Sequence, residues 1–177
     1  MVKACAVTGH RPTRFKFKYK EDYSLCKKIK RVMREQFEKL YDECGVKRYY
    51  IGGTLGVDMW AGEIILRLKE KSGYEDIELV VVLPFPDLDK VWDNRSRQRL
   101  KFLLKHCSEY VVAGDRDCRQ SYIKRNYYMV EHAEYILAIY DGGGDQRSKT
   151  MQMVEYARKN KRTVICIHPD TSMVKKM

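Results

Sequence analysis

Six short apolar runs alternate along this chain with longer amphipathic segments, and this alternation constrains the fold more than any other feature. The runs occupy residues 3–8, 48–52, 78–85, 109–114, 134–140 and 162–168. Several consist almost wholly of Val, Ile, Leu and Tyr, which is typical of strands covered on both faces in a parallel sheet. We therefore predict an α/β protein with a Rossmann-like, doubly wound and mainly parallel sheet carrying helices on both faces.

The segments between the runs carry apolar residues at helical spacing. The first extends from Leu25 to Cys44, with Gly45 as its predicted C-cap, and the second begins at Val57. Segments around 94–106, 119–132 and 148–160 repeat the pattern. Because no linker, repeat or low-complexity tract interrupts the 177 residues, we predict a single domain over residues 1–177.

The formal net charge of +11 is the feature of the composition that asks for an explanation. A basic surface suits nucleic acid or a small polyanion such as a nucleotide, and a solvated basic face explains it equally well. The six cysteines form no CxxC pair, and no histidine stands at metal-ligand spacing. We predict a cytoplasmic protein in a reducing compartment, with no metal site, no signal peptide and no membrane-spanning segment.

Candidate ligand-binding residues follow the first two strands, because open parallel sheets bind ligands where strands end and loops lead into helices. Two loops are predicted to approach a phosphate through backbone N–H groups and a helix N-terminus. They are TGHRP, after the first run, and GGTLGVD, after the second. The candidates are Thr8, Gly9, His10, Arg11, Gly52, Gly53, Thr54 and Gly56. Asp58, in the first turn of the second helix, could complement the helix dipole, take a ribose hydroxyl or polarise a water.

Two later loops add candidates at the same edge of the sheet. Trp92, after the third run, could stack on a base or cap the core. After the fifth run, the sequence DGGGDQRSKT contains three consecutive glycines, which are costly to order, and then a helix start. We predict a second phosphate or ribose site there, formed by Asp141, Gly142, Gly143 and Thr150.

The combination of TGHRP, GGTLGVDMWAGE, LPF and RNYYMVEHAEYILAIYDG resembles the YpsA-like branch of the SLOG superfamily, and the resemblance covers nearly the whole chain. That superfamily also contains the Lonely Guy phosphoribohydrolases and the DNA-processing protein DprA. The resemblance implies a Rossmannoid fold with a pocket for nucleotides or nucleotide-derived ligands.

The chain departs from the Lonely Guy pattern where that pattern carries catalysis. Arg125 matches the family arginine, but Asn126 stands where the family has a lysine. Met153 falls at the position of the catalytic glutamate, and a methionine cannot act as an acid or base. Glu155 is the nearest carboxylate, about 200° further round the helix.

Three hypotheses about function follow. The first is binding or sensing of an ADP-ribose-like, NAD-like or signalling nucleotide, with Arg11 and Arg125 meeting phosphate while Asp58 and Asn126 hold hydroxyl or base edges. The second is an N-glycosidase or nucleotide hydrolase acting on the same class of ligand through Asp58 or Glu155. No cofactor beyond a nucleotide-derived ligand is predicted.

The third hypothesis is binding of single-stranded nucleic acid through the run RFKFKYK at residues 14–20. As a strand, this run would place its aromatic residues on one face for base stacking and its basic residues on the other for phosphate. The competing interpretation packs the aromatic residues onto the sheet and leaves the lysines in water. Apolar helix faces in such folds commonly pair, so we also predict a homo-oligomer.

Overall fold

Seven strands form one sheet in the computed structural model, which describes residues 1–143 and 148–177. The strands are β1 (Lys3–Gly9), β2 (Val46–Ile51), β3 (Glu78–Leu83), β4 (Glu109–Val112), β5 (Tyr135–Ile139), β6 (Thr163–Ile167) and β7 (Val174–Lys176). Their order is β4-β3-β2-β1-β5-β6-β7. Every pairing among β1 to β6 is parallel, and β7 pairs antiparallel with β6. The predicted Rossmann-like, mainly parallel sheet is confirmed.

Five helices connect the strands at the predicted places. They are α1 (Ser24–Cys44), α2 (Val57–Lys69), α3 (Asn94–His106), α4 (Arg119–Glu131) and α5 (Lys149–Lys159). Helix α1 ends at Gly45, whose φ of 73° is left-handed and whose N–H donates to the carbonyls of Leu40 and Tyr41. The predicted glycine C-cap is therefore confirmed. Among the described helices, none combines the length and apolar character needed to cross a membrane.

The helices cover both faces of the sheet because successive strand residues point in opposite directions. In β1, Cys5 and Val7 belong to the core beneath α1, α2 and α3. Ala4 and Ala6 belong to the core beneath α4 and α5. The apolar runs thus supply two cores from one set of strands, which is the doubly wound arrangement that the continuous runs predicted.

The connection from β1 to α1 does not contain the strand that the third hypothesis considers over residues 14–20. It contains a short 3-10 helix, Pro12–Arg14, followed by turns. Phe15 and Phe17 are 1% and 2% exposed, stack on each other with ring centroids 5.0 Å apart, and pack against Trp60 of α2. The strand considered for base stacking is therefore not formed, and the competing interpretation, in which the aromatic residues are buried, holds for Phe15 and Phe17. Burial against Trp60 removes both rings from water, and only Tyr19 remains exposed.

Candidate functional site

A cleft of about 1020 Å³ opens where the strand order reverses in the middle of the sheet. β1 lies between β2 and β5, and the chain continues from β1 and β2 to helices on one face and from β5 to α5 on the other. Loops that leave neighbouring strands toward opposite faces create a crevice at the carboxyl ends of those strands. The cleft lies at this crevice, the position that the sequence predicted.

Most of the predicted binding residues line this cleft. The residues that do so are Thr8, Gly9, His10, Arg11, Thr54, Asp58, Trp92, Arg125, Asn126, Asp141, Gly143 and Thr150. Four predicted glycines and one carboxylate are absent from the lining formed by the described residues: Gly52, Gly53, Gly56, Gly142 and Glu155. Gly144, the third glycine of the predicted cluster, lies outside the described residues.

The glycines after β2 serve packing behind the cleft. Gly52 and Gly53 are buried, and a Cβ added to Gly52 would lie 2.5 Å from Nη1 of Arg125 and 2.7 Å from Oδ2 of Asp58. Gly56 has a left-handed φ of 87°, and a Cβ there would lie 2.9 Å from the ring of Pro12. These glycines allow backbone and side chains to approach closely, while α2 begins without a side-chain cap at Gly56.

Asp58 and Arg125 form a buried pair at the base of the cleft. Nη1 of Arg125 lies 3.8 Å from Oδ2 of Asp58, and both side chains are less than a tenth exposed. Arg125 also donates to the carbonyl of Gly52 at 3.0 Å and to Oδ1 of Asn126 at 3.1 Å. Thr54 donates to Asp58 through its hydroxyl at 2.6 Å and its N–H at 3.3 Å. Burial lowers the pKa of Arg125, and the charge of Asp58 opposes this shift.

Two cations of the cleft contact the ring of Tyr122. Nζ of Lys149 lies 3.3 Å from the ring centroid, and the guanidinium carbon of Arg125 lies 5.4 Å from it. The pKa of Lys149 is lowered to about 8. Burial is the largest cause, the charges of Arg11, Arg125 and Arg119 act in the same direction, and the charge of Asp117 opposes them. We call Arg11, Arg119, Arg125 and Lys149, which line the same cleft, the cationic cluster.

Apolar side chains adjoin the cationic cluster through the same ring. Phe85 packs edge-on against Tyr122 with a centroid separation of 5.8 Å. Leu88, Val91 and Trp92 continue this side of the lining, and Val91 is 90% exposed. The cleft therefore offers apolar surface next to concentrated positive charge, which suits an amphipathic anion.

The rim of the cleft is closed by ion pairs between the loops after β1, β5 and β6. Asp141 accepts hydrogen bonds from Arg14 and from the N–H of Gly143, and Nε2 of His10 lies 3.3 Å from its Oδ1. Arg14 also reaches Asp170 at 3.4 Å. Burial alone would raise the pKa of Asp141, but Arg14, Gly143 and His10 lower it to about 2. Burial lowers the pKa of His10, although Asp141 opposes this shift.

Comparison with known proteins assigns this chain to a family. The family model described as the YspA SLOG family (YpsA) matches residues 5–172. The chain belongs to this family. The resemblance noted in the sequence is thereby confirmed.

Two relatives of this SLOG protein come from bacilli. The chain is 25% identical over 160 residues to a UPF0398 protein of Bacillus thuringiensis strain Al Hakam, covering 89% of the chain and 84% of the relative. A UPF0398 protein of Bacillus cereus strain AH187 gives the same values.

Two solved structures of DNA processing protein A (DprA) have a similar fold. The protein from Streptococcus pneumoniae matches with a TM-score of 0.59 at 15% identity. The protein from Helicobacter pylori, whose structure concerns its single-stranded DNA binding mode, matches with a TM-score of 0.57 at 18% identity. Each match covers 93% of this chain but only 50% and 64%, respectively, of the DprA chain. At these identities the matches establish the fold.

The positions compared with the Lonely Guy enzymes lie in different surroundings in this SLOG protein. Met153 is 1% exposed and belongs to the core beneath α5. Glu155, the alternative carboxylate on the same helix, is exposed and lies outside the described lining of the cleft. Among the candidate catalytic carboxylates, only Asp58 lines the cleft, and Thr54 and Arg125 already engage it.

Sequence reasoning missed Tyr122, Arg119 and Lys149. Each lines the cleft, yet none belongs to a glycine-rich loop or to a recognisable motif. Lys149 is the first residue of α5 and stands next to the predicted Thr150, so its place in the helix start was the available signal. The convergence of α4 and α5 on one aromatic ring depends on tertiary structure, which spacing alone does not encode.

Proposed function

We propose that the cleft binds a phosphate-bearing nucleotide or nucleotide-derived ligand. The observation that carries this proposal is the cationic cluster. Within the described part of the chain, Arg11, Arg119 and Lys149 have no salt-bridge partner, although all three line one cleft. Like charges brought together in one cleft repel each other, and a bound polyanion would relieve that repulsion.

The rest of the cleft supports a nucleotide over inorganic phosphate. Phe85 and Trp92 provide apolar and aromatic surface beside Tyr122, and a base or ribose could pack there while its phosphates meet the arginines. Arg11 and Arg119 are exposed enough to meet a ligand, whereas the guanidinium of Arg125 is held by Gly52 and Asn126. In this proposal Arg125 contributes charge from below, and Arg11 and Arg119 make the direct contacts.

The carboxylates of the cleft are already engaged by other side chains, which favours binding of the ligand without turnover. Asp141 is engaged by Arg14, and Asp58 by Thr54 and Arg125, so both support the architecture of the cleft. A general acid or base must reach the reacting atoms with a free proton or lone pair. Cleavage of the ligand by an N-glycosidase or hydrolase route therefore remains the alternative outcome of the experiment below.

The experiment is a binding titration with ADP, ADP-ribose, NAD and GDP, each compared with the matching nucleoside, followed by chromatography of the ligand. Nucleotides are expected to bind and to be recovered intact, and nucleosides to bind at least tenfold more weakly. Arg119→Ala should weaken nucleotide binding about tenfold, the cost of a charged hydrogen bond. Lys124→Ala, which removes an exposed cation of α4 outside the cleft lining, serves as the matched control.

Equal binding of nucleosides and nucleotides, or equal effects of the two substitutions, would contradict the proposal. Recovery of a free base would assign a hydrolytic activity to the same cleft. Both results are read from the same samples.

Single-stranded DNA is a second candidate ligand. It is favoured by the net charge of +11 and by the fold shared with a DprA whose structure concerns single-stranded DNA binding. With Phe15 and Phe17 buried, base stacking would fall to Tyr19 and Trp92. A fluorescent oligonucleotide titrated at several salt concentrations tests this candidate, and affinity should fall steeply with salt. Competition by ADP would place both ligands in one cleft.

A further inference from the structure

Lys149 has surroundings that differ from those of an ordinary surface lysine. Its Nζ lies on the face of Tyr122, 3.3 Å from the ring centroid, and it has no salt-bridge partner in the described part of the chain. The side chain is half-buried and lines the cleft, so its amine meets whatever the cleft holds.

The charged groups that act on Lys149 come from three elements. Arg11 lies in the connection after β1, Arg119 and Arg125 lie on α4, and Asp117 precedes α4. Burial disfavours the ammonium form most, and three cations against one carboxylate act in the same direction. Together they lower the pKa of Lys149 to about 8. At neutral pH this makes the neutral amine roughly 300-fold more abundant than in an unperturbed lysine.

We propose that Lys149 is a covalent-attachment residue, whose amine condenses with the aldehyde of a phosphate-bearing compound held by the neighbouring arginines. Desolvation and adjacent cations are the two conditions that make a lysine amine nucleophilic toward carbonyl compounds. The same arginines would bind the phosphate of the reactant, so one cluster both activates the amine and recruits its partner. A ring-opened aldose phosphate is the simplest member of this ligand class.

The condensation balances without any further reactant. The lone pair of Nζ attacks the aldehyde carbon, and a proton passes from nitrogen to the former carbonyl oxygen, giving a carbinolamine. The hydroxyl then takes the remaining proton of the nitrogen and leaves as water, while the nitrogen lone pair forms the second bond to carbon. Nothing is oxidised or reduced, and the product is an imine between Lys149 and the phosphate-bearing compound.

This proposal rests on the cationic cluster and does not require a nucleotide. The probe chosen to test it, pyridoxal 5′-phosphate, carries an aldehyde and a phosphate but no nucleoside. Failure of nucleotide binding and failure of imine formation are therefore separate results. The nucleotide titration examines the first, and chemical trapping examines the second.

The experiment uses the intact wild-type chain with substoichiometric pyridoxal 5′-phosphate, reduction of any imine by borohydride, and mapping of the modified peptides by mass. Lys149 is expected to be trapped at least tenfold faster than the exposed Lys124, which serves as an internal comparison within the same molecule. Pyridoxal, which lacks the phosphate, should trap Lys149 at less than a tenth of that rate. The rate for Lys149 should rise through pH 8 and level off about one pH unit above it, where most of its amine is neutral.

Two substitutions complete the test. Lys149→Arg should abolish the fast phase of trapping, and Lys124→Arg should leave it intact, with circular dichroism reporting whether each variant folds. Trapping of Lys149 no faster than Lys124 would overturn the proposal, and so would equal rates with pyridoxal and its phosphate. The comparison within the wild-type chain decides the matter even when Lys149→Arg fails to fold.

Discussion

Arg125 and Asp58 face each other across 3.8 Å at the base of the cleft, with both side chains less than a tenth exposed. Their contact joins α4 to the start of α2, so the pair connects helices on opposite faces of the sheet. Each charge is compensated mainly by the other and by local hydrogen bonds. The pair is therefore a structural support at the base of the cleft.

Arg125→Ala should lower the free energy of unfolding by about 3–5 kcal/mol, because it leaves the Asp58 carboxylate buried without its counter-charge. Urea denaturation followed by circular dichroism measures this. Arg119→Ala, at an exposed position of the same helix, should change stability by no more than about 0.5 kcal/mol. Equal costs for the two variants would show that the pair contributes little.

Gly52→Ala should destabilise the protein by about 1–3 kcal/mol, the usual cost of inserting a methyl group into a packed site. The new Cβ would lie 2.5 Å from Arg125 and 2.7 Å from Asp58, so the pair would have to separate. The matched control is Gly143→Ala, whose Cβ would lie 3.8 Å from Asp141, an ordinary contact. A midpoint shift in urea for Gly52→Ala alone is expected, and an unchanged midpoint would refute the packing role.

Glu21→Gln should lower the unfolding free energy at pH 7 by an amount on the order of 2 kcal/mol. Glu21 accepts hydrogen bonds from Arg99 at 2.7 Å and from Lys30 at 2.7 Å. Although burial raises the pKa of Glu21, the hydrogen bonds from Arg99 and Lys30 lower it from 4.5 to about 2. A carboxyl with a depressed pKa stabilises the fold above its unfolded pKa and loses this contribution as pH falls through its folded pKa. The difference between wild type and variant should thus shrink between pH 4.5 and 2.

Glu35→Gln is the comparison for that titration. Glu35 pairs with Arg31 at 3.8 Å on the exposed face of α1, where both side chains are more than half exposed. A surface pair of this kind contributes less than about 0.5 kcal/mol. A constant difference between wild type and Glu21→Gln across the acid range would contradict the assignment of the depressed pKa to Glu21.

Phe17→Ala should cost about 3–5 kcal/mol, because it deletes a buried ring that packs on Phe15 and Trp60. Tyr19→Ala, two residues further along the same basic run, should change stability by less than about 0.5 kcal/mol, since Tyr19 is 62% exposed. Thermal and urea melts of both variants check this. A mild effect of Phe17→Ala would mean that the ring is available for ligands after all.

The sequence predicted the strands and helices well, because continuous apolar runs and helical spacing are local signals. Strand β7 was missed because Val174–Lys176 is short and exposed and pairs antiparallel with β6 alone among the described strands. The sequence left two interpretations of the run at 14–20 open, because alternation is a strand signal and aromatic rings also pack into cores. Burial of Phe15 and Phe17 against Trp60 favours the second, through a contact that no local pattern encodes.

The sequence predicted where the cleft lies, but only some of the residues and contacts that form it. The edge of the sheet follows from topology, and twelve predicted residues line the cleft there. Gly52 was expected to expose backbone to a ligand, whereas its missing side chain makes room for Arg125. Lys149 and Tyr122 escaped prediction because their significance arises from a contact between α4 and α5, and no local sequence pattern encodes that contact.

The anchoring of the connection after β1 has a consequence for association kinetics. Pro12 packs against Gly56, and Phe15 and Phe17 are held against Trp60, so the segment carrying Arg11 and Arg14 is ordered before any ligand arrives. A loop that is already ordered needs no conformational closing step before it meets a ligand. The observed association rate should then rise linearly with ligand concentration, without a plateau, and should slow with ionic strength as long-range attraction is screened.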